Sequence, residues 1–215
     1  MAAAAGLAAL FIKIAEDVVE GETRTFDRSI LLSLREPGDA AQPIGPGWIE
    51  IALRDITSLG STTVLSLMTI LALSYLLLQG KPRTATAVLI SIAGGTLIST
   101  LLKDAFARPR PDIVSHLVDV STLSFPSGHA MMSAITYLTL GALLASAQPN
   151  RRTRSFILAV AVLLAVLVGV SRVYLGVHYP TDVLAGWSAG ASWAIACWLV
   201  TRRLVGVSEA AKVSE

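Results

Sequence analysis

Five long apolar stretches, at 57–79, 84–103, 130–147, 155–175 and 183–201, dominate the chain. Each is close to the roughly 20 residues a helix needs to cross the hydrocarbon of a bilayer. Inside lipid, every backbone N–H and C=O must find a partner within the protein, so apolar stretches of this length are expected to be helical. The expected fold is therefore all-α, a polytopic membrane helical bundle. Composition supports this, because 53% of the residues are hydrophobic, only 15% are charged and the mean hydropathy is +0.66. One soluble core does not absorb that much apolar surface. At 215 residues the chain can be a single domain, 1–215. A net charge of +2 is too small to point to a nucleic-acid partner. Cys197 is the only cysteine and sits inside an apolar run, so no internal disulfide or thiolate metal cluster is expected and a packing role is.

The N-terminal stretch 2–15 is Ala-rich and apolar apart from Lys13, and Glu16, Asp17 and Glu20 follow it. It is short for a full span. Leu7, Leu10, Phe11, Ile14 and Val18 recur at helical spacing, so an amphipathic helix at the interface is an equal reading. No basic residue precedes the apolar run, which argues against a cleaved signal peptide. With this segment the count is about six helices, five clear spans plus a short N-terminal one. Residues 21–55 are polar and punctuated by Pro37, Pro43, Gly45, Pro46 and Gly47, and read as an extramembrane segment of short helices and turns. Trp48 is placed to anchor the interface. Gly94-Gly95, and Gly186 with Gly190, suit close helix packing in lipid.

The order of the spans puts the breaks 104–129 and 176–182 on one side of the membrane. The breaks 80–83 and 148–154 and the C-terminal tail fall on the other side, and none of these contains a histidine. The two histidine-bearing breaks carry chemistry. In Ser171-Arg172-Val173-Tyr174-Leu175-Gly176-Val177-His178-Tyr179-Pro180-Thr181-Asp182, Pro180 suits the first position of a new helix. That sets His178 at its mouth and Asp182 one turn further in. A carboxylate on one ring nitrogen fixes the tautomer and leaves the other nitrogen free to attack or to bind metal. The guanidinium fork of Arg172 fits phosphate oxygens. Taken alone, the stretch is equally well read as an ionic cluster capping two helices. The other break opens with Lys103 to Pro111 and ends Phe125-Pro126-Ser127-Gly128-His129. Ser127 is a good N-cap and Gly128 allows close backbone approach, which makes this helix start an anion site with His129 in its first turn. A capped helix with a satisfied histidine and a snorkelling Lys103 are the plainer readings of each piece by itself.

Together and in order, the pieces resemble the type 2 phosphatidic acid phosphatase superfamily, membrane lipid phosphatases related to vanadium haloperoxidases. Its pattern is Lys, six residues, Arg-Pro (Lys103 to Arg110-Pro111); Pro-Ser-Gly-His (Pro126 to His129); and Ser-Arg, five residues, His, three residues, Asp (Ser171-Arg172, His178, Asp182). Every position matches, over about half of the chain. The resemblance implies a six-helix haloperoxidase-like core with its site on one face, in loops 103–129 and 171–182. It also implies roles. His178, oriented by Asp182, attacks phosphorus to form a phosphohistidine, and His129 protonates the leaving oxygen and then activates water. Lys103, Arg110, Arg172, Ser127 and the Gly128 N–H hold the phosphoryl oxygens.

Three cations supply the charge that Mg²⁺ supplies elsewhere, and no acidic or His-rich run has metal-ligand spacing, so neither metal nor other cofactor is expected. Arg108, a second Arg-Pro two residues early, is expected to be a substrate-facing or surface cation, and His116 an ordinary loop histidine. The first helix is shorter than the family's usual full span. The expected function is hydrolysis of a lipid phosphate or diphosphate of the undecaprenyl diphosphate, phosphatidylglycerol phosphate or phosphatidic acid class. The alternatives are a lipid phosphotransferase using the same phosphohistidine and a non-enzymatic membrane scaffold. Lys81, Arg83, Arg151, Arg152, Arg154, Arg202, Arg203 and Lys212 fall opposite the site, so a bacterial plasma-membrane location with the site facing the periplasm or exterior is expected.

Overall fold

The computed structural model describes residues 1–213, with side chains through 203. In chain order the elements are α1 (Ala2–Glu20), α2 (Arg24–Ser33), β1 (Arg35–Glu36), β2 (Asp39–Pro43), α3 (Gly47–Ser58), α4 (Thr62–Leu78), α5 (Pro82–Phe106), α6 (Gly128–Ser146), α7 (Arg151–Tyr174) and α8 (Pro180–Val213). Helix starts follow from local chemistry. Ser61 caps α4 by accepting the Val64 N–H at 3.3 Å, and Asn150 caps α7 by accepting that of Arg152 at 2.8 Å. Pro82 and Pro180 occupy the first positions of α5 and α8, where a missing N–H costs nothing.

Four helices, α5, α6, α7 and the 180–203 part of α8, are long and apolar enough to cross a bilayer. The expected span 57–79 is not continuous. It breaks at Leu59-Gly60-Ser61, where α3 and α4 meet at 43°, and only the bent pair together reaches the length of a fifth span. The break lies against α7 and α6. A Cβ on Gly60 would stand 2.3 Å from the Val168 side chain and 3.3 Å from the ring of His129, so only a bare backbone turns there. α3 thus begins within segment 21–55 and runs into the start of the expected span, and α8 continues beyond the expected end at 201.

The bundle is organised around α6, which packs on α5, α7 and α8 and buries Met131 and Ile135 completely. The glycines work as the small-residue reading expects. A Cβ on Gly186 would lie 2.8 Å from the Ser127 carbonyl oxygen, and one on Gly190 would lie 2.5 Å from that of Met131, so α8 touches the α6 backbone itself. Gly95 makes the same room for Ile135, and Gly94 for Trp193. On the outside, Ile70, Leu71 and Leu78 of α4 and Phe156 and Leu163 of α7 are exposed, a surface suited to lipid rather than water.

α1 runs antiparallel along α8 instead of lying off the bundle. The Ser192 hydroxyl donates to the Ala4 carbonyl at 2.8 Å near one end, and Ala15 packs with Ala185 and Phe125 near the other. Segment 21–55 folds back over the α7–α8 bend. Arg35, buried at the start of the β1–β2 hairpin, donates to the Tyr174 carbonyl at 3.0 Å, and the Tyr174 hydroxyl donates to the Ile44 carbonyl at 2.8 Å.

Candidate active site

His178 lies in the bend between α7 and α8 and is 1% exposed. Its Nε2 is 3.1 Å from Nη1 of Arg110. A guanidinium only donates, so that nitrogen presents its lone pair and the ring proton sits on Nδ1. Nδ1 faces Oδ2 of Asp182 and the Ser124 hydroxyl oxygen, each at 3.4 Å. Burial pushes the imidazole pKa down to about 4, outweighing the nearby Asp182 carboxylate, and Arg110 and Arg172 push the same way. The charged ring is disfavoured, so His178 is neutral at neutral pH and takes up its second proton only far below the ordinary value of about 6.5. In ¹⁵N-histidine NMR spectra, the His178 signal, assigned by its loss in His178→Asn, should still show a neutral, Nδ1-protonated ring at pH 5.5. A doubly protonated ring at that pH contradicts this account.

Asp182 is the third residue of α8 and is fully buried. Its Oδ2 reaches back to the Tyr179 N–H at 2.9 Å, the carboxylate half of a capping box, and also accepts the Ser124 hydroxyl. The Asp182 carbonyl accepts the Ser127 N–H at 2.9 Å, which stitches the start of α6 to the start of α8. Two breaks far apart in sequence are therefore in direct contact.

Three cations gather near His178: Arg110 at Nε2, Arg172 within electrostatic reach of the ring, and Lys103 within reach of both arginines. Arg110 is fixed by donation to the Thr122 carbonyl at 2.6 Å, the Thr122 hydroxyl at 2.9 Å and the Val177 carbonyl at 2.7 Å. Burial, only partly offset by Asp182, holds its guanidinium below the usual range. Lys103, in the last turn of α5, donates to the Leu123 carbonyl. Arg172, in the last turn of α7, is 4% exposed and donates from Nη1 to the Thr57 hydroxyl at 3.0 Å. Its Nε is buried with no hydrogen-bond partner. His129 lies within electrostatic reach of His178, Arg172, Arg110 and Lys103. Gly128 sits against Lys103, where a Cβ would meet Cε at 3.4 Å. Ser127 is fully buried and its Oγ accepts the Ala130 N–H at 3.5 Å as the α6 cap. A buried N–H donor without an acceptor is costly, so this pocket is chemically matched to an anion. Among the described residues, no three His, Cys, Asp or Glu side chains gather where they could hold a metal ion.

Arg108 is neither a surface cation nor turned to the anion pocket. Its Nη1 donates to Oδ1 of Asp182 at 2.6 Å and its Nη2 to Oδ2 of Asp27 at 2.8 Å, while its guanidinium lies 4.2 Å over the Tyr179 ring. His116 is a loop residue whose Nε2 is 2.6 Å from the Pro111 carbonyl oxygen. Sequence reasoning did not find Asp27, Ser124, Thr57, Thr181 or Gly60. Only Gly60-Ser61, a glycine followed by a helix cap inside an apolar run, left a readable signal.

The sequence model of the PAP2 superfamily matches residues 84–205. Phosphatidylglycerophosphatase B of Bacillus subtilis is 35% identical over 152 residues, covering 70% of this chain and 74% of that protein. Decaprenylphosphoryl-5-phosphoribose phosphatase of Mycobacterium tuberculosis is 35% identical over 117 residues, 52% of this chain and 59% of that one. The crystal structure of a transmembrane PAP2-type phosphatidylglycerolphosphate phosphatase from Bacillus subtilis superposes with a TM-score of 0.83 at 28% identity, covering 94% of this chain and 98% of that one. With apolar helices that match a transmembrane enzyme over nearly its whole length and a family match over more than half of the sequence, the chain is an integral membrane protein and an enzyme of the PAP2 superfamily.

Proposed function

We propose that the chain, as one domain over 1–215, hydrolyses a lipid phosphate or diphosphate through a phosphohistidine on His178. The observation that carries this reading is the lone pair of a buried, neutral imidazole facing Arg110, with Arg172 and Lys103 within electrostatic reach of that arginine and a buried, unpartnered Nε on Arg172. In the first step Nε2 bonds to phosphorus as the P–O bond to the lipid breaks, and His129 gives the leaving oxygen its proton. The ring is then cationic, and Asp182 beyond Nδ1 stabilises it. In the second step His129 takes a proton from water, the water oxygen bonds to phosphorus, and the P–N bond breaks to release inorganic phosphate. Lys103, Arg110, Arg172, the Ser127 hydroxyl and the Gly128 N–H hold the phosphoryl oxygens throughout. With the pocket's positive charge supplied by side chains, the reaction proceeds without a metal ion.

Phosphatidylglycerol phosphate heads the candidate substrates, because the Bacillus relative is named for it. The test is phosphate release by the purified chain in detergent with EDTA present, from a panel of phosphatidylglycerol phosphate, phosphatidic acid and undecaprenyl diphosphate. Release from at least one supports the reading, and none from any of them overturns it.

We also propose a bacterial plasma membrane with the site facing the periplasm or exterior. Lys81, Arg83, Arg151, Arg152 and Arg154 lie at or near the opposite helix ends, and Arg202 and Arg203 close the membrane-spanning part of α8, which fits the positive-inside rule. The side chain of Lys212 lies outside the described residues. An Asn150→Cys variant in a Cys197→Ser background should resist an impermeant thiol reagent in intact cells and react once they are opened. Labelling of intact cells would reverse the orientation.

A further inference from the structure

We propose that Asp27 and Arg108 are positioning residues for the reaction, Arg108 clamping Asp182 in place and Asp27 keeping that clamp from cancelling the Asp182 charge. This rests on His178 being the nucleophile. Neither residue belongs to the motifs that led to the site, and Asp27 comes from α2, outside the 84–205 family match.

The geometry is specific. Asp27 is fully buried. Its Oδ1 accepts the Thr181 N–H at 3.0 Å, and its Oδ2 accepts the Thr181 hydroxyl at 2.7 Å and Arg108 Nη2 at 2.8 Å. Arg108 Nη1 lies 3.0 Å from the Thr181 hydroxyl oxygen and 2.6 Å from Asp182 Oδ1. One guanidinium fork thus spans two buried carboxylates, a geometry lysine cannot reproduce. The clamp takes Oδ1 of Asp182 and leaves Oδ2 directed to Ser124, Tyr179 and His178.

The charge count explains why two carboxylates are present. Arg108 with Asp182 alone would be a neutral pair, a poor partner for an imidazole that must become cationic. With Asp27 the buried set carries one net negative charge before reaction, which matches the single positive charge His178 acquires on forming its bond to phosphorus. Breaking either link moves that balance in an opposite direction, since removing Asp27 leaves the arginine uncompensated and removing Arg108 leaves the carboxylates uncompensated.

His178 is faced by Asp182 from α8, Arg172 from α7, His129 from α6 and Arg110 from the intervening loop, with Lys103 of α5 in turn within electrostatic reach of His129, all unchanged in the two variants that test this. In ¹⁵N-histidine NMR at pH 4.5, Asp27→Asn should lower the protonated fraction of His178 relative to wild type, and Arg108→Gln should raise it. Shifts in the same direction, or none in either, overturn the proposal; this readout needs no turnover. In assays with the best lipid phosphate, each variant should lose on the order of 10- to 100-fold in kcat, as for outer partners that orient other active imidazoles. The vanadate inhibition constant should stay within about twofold, and the double variant should fall no further than the weaker single variant. Vanadate binding that weakens in step with kcat/KM would assign Arg108 to the anion pocket, and losses that multiply would make the two residues independent; either result overturns the proposal. Should Asp27→Asn fail to fold, Arg108→Lys carries the test, with the kcat loss expected despite its retained charge. Wild type that releases no phosphate would overturn the enzymatic reading, whereas an active wild type with unaffected variants overturns only the positioning roles.

Discussion

His178→Ala should lose turnover by on the order of 10⁴- to 10⁶-fold, the range for removing a covalent nucleophile, and should never carry phosphate. His129→Ala should lose on the order of 10²- to 10⁴-fold, the span of general acid–base catalysis, yet still become phosphorylated. The distinction follows from what each step needs. Bond formation requires the Nε2 lone pair that Arg110 faces, and acid help matters little when the leaving group is a phosphate ester from a diphosphate lipid. Cleavage of the phosphohistidine requires a base for water whatever the substrate. His129→Ala therefore fills with phosphate and empties slowly. Rapid quench with radiolabelled diphosphate lipid, worked up at alkaline pH where phosphohistidine survives, reads this directly. Label on His178→Ala but not on His129→Ala would exchange the two roles. Wild type that turns over without label on any protein would favour direct attack by water.

Much of this site was legible because its residues sit where local rules act. Ser127 and Pro180 mark helix starts, and the apolar runs between them force both histidine-bearing breaks to one face, where Asp182 and Ser127 share a backbone hydrogen bond. What stayed hidden depends on tertiary placement. Asp27 lies among Glu22, Arg24 and Arg28 in a polar stretch and looks like any solvated charge. It becomes fully buried only because Leu31, four residues on and also fully buried, carries the same face of α2 onto the bundle. Arg108 and Arg110 are both followed by proline, and spacing from Lys103 chooses between them without saying what the other one does. It is the carboxylate from α2 that turns Arg108 away from the pocket. The bend at Gly60 was lost to hydropathy. A window that sees only apolar residues reads through a glycine and a capping serine, and what requires the turn is the approach of Val168 and His129 from other helices.

That bend also decides the second large effect, expected at Arg172. Thr57, in the last turn of α3, donates no charge but fixes one arm of the guanidinium at 3.0 Å, while Nε remains buried without a partner. A buried donor in that condition gains most when an anion arrives, because no protein acceptor has to be given up and little water competes. Arg172→Gln removes the charge and keeps a side chain long enough to fill part of the space, so the loss should fall on anion stabilisation more than on folding. By comparison with loss of one preorganised donor to a transition-state oxyanion, kcat/KM should fall on the order of 10²- to 10³-fold. The vanadate inhibition constant should rise with it, because vanadate takes the same oxygens. Thr57→Val should move both quantities in the same direction by a smaller factor, since it frees the guanidinium without removing it. If Arg172→Gln lowers activity while vanadate binds as tightly as to wild type, the guanidinium holds α3 against α7 and the anion is held by the remaining groups without it.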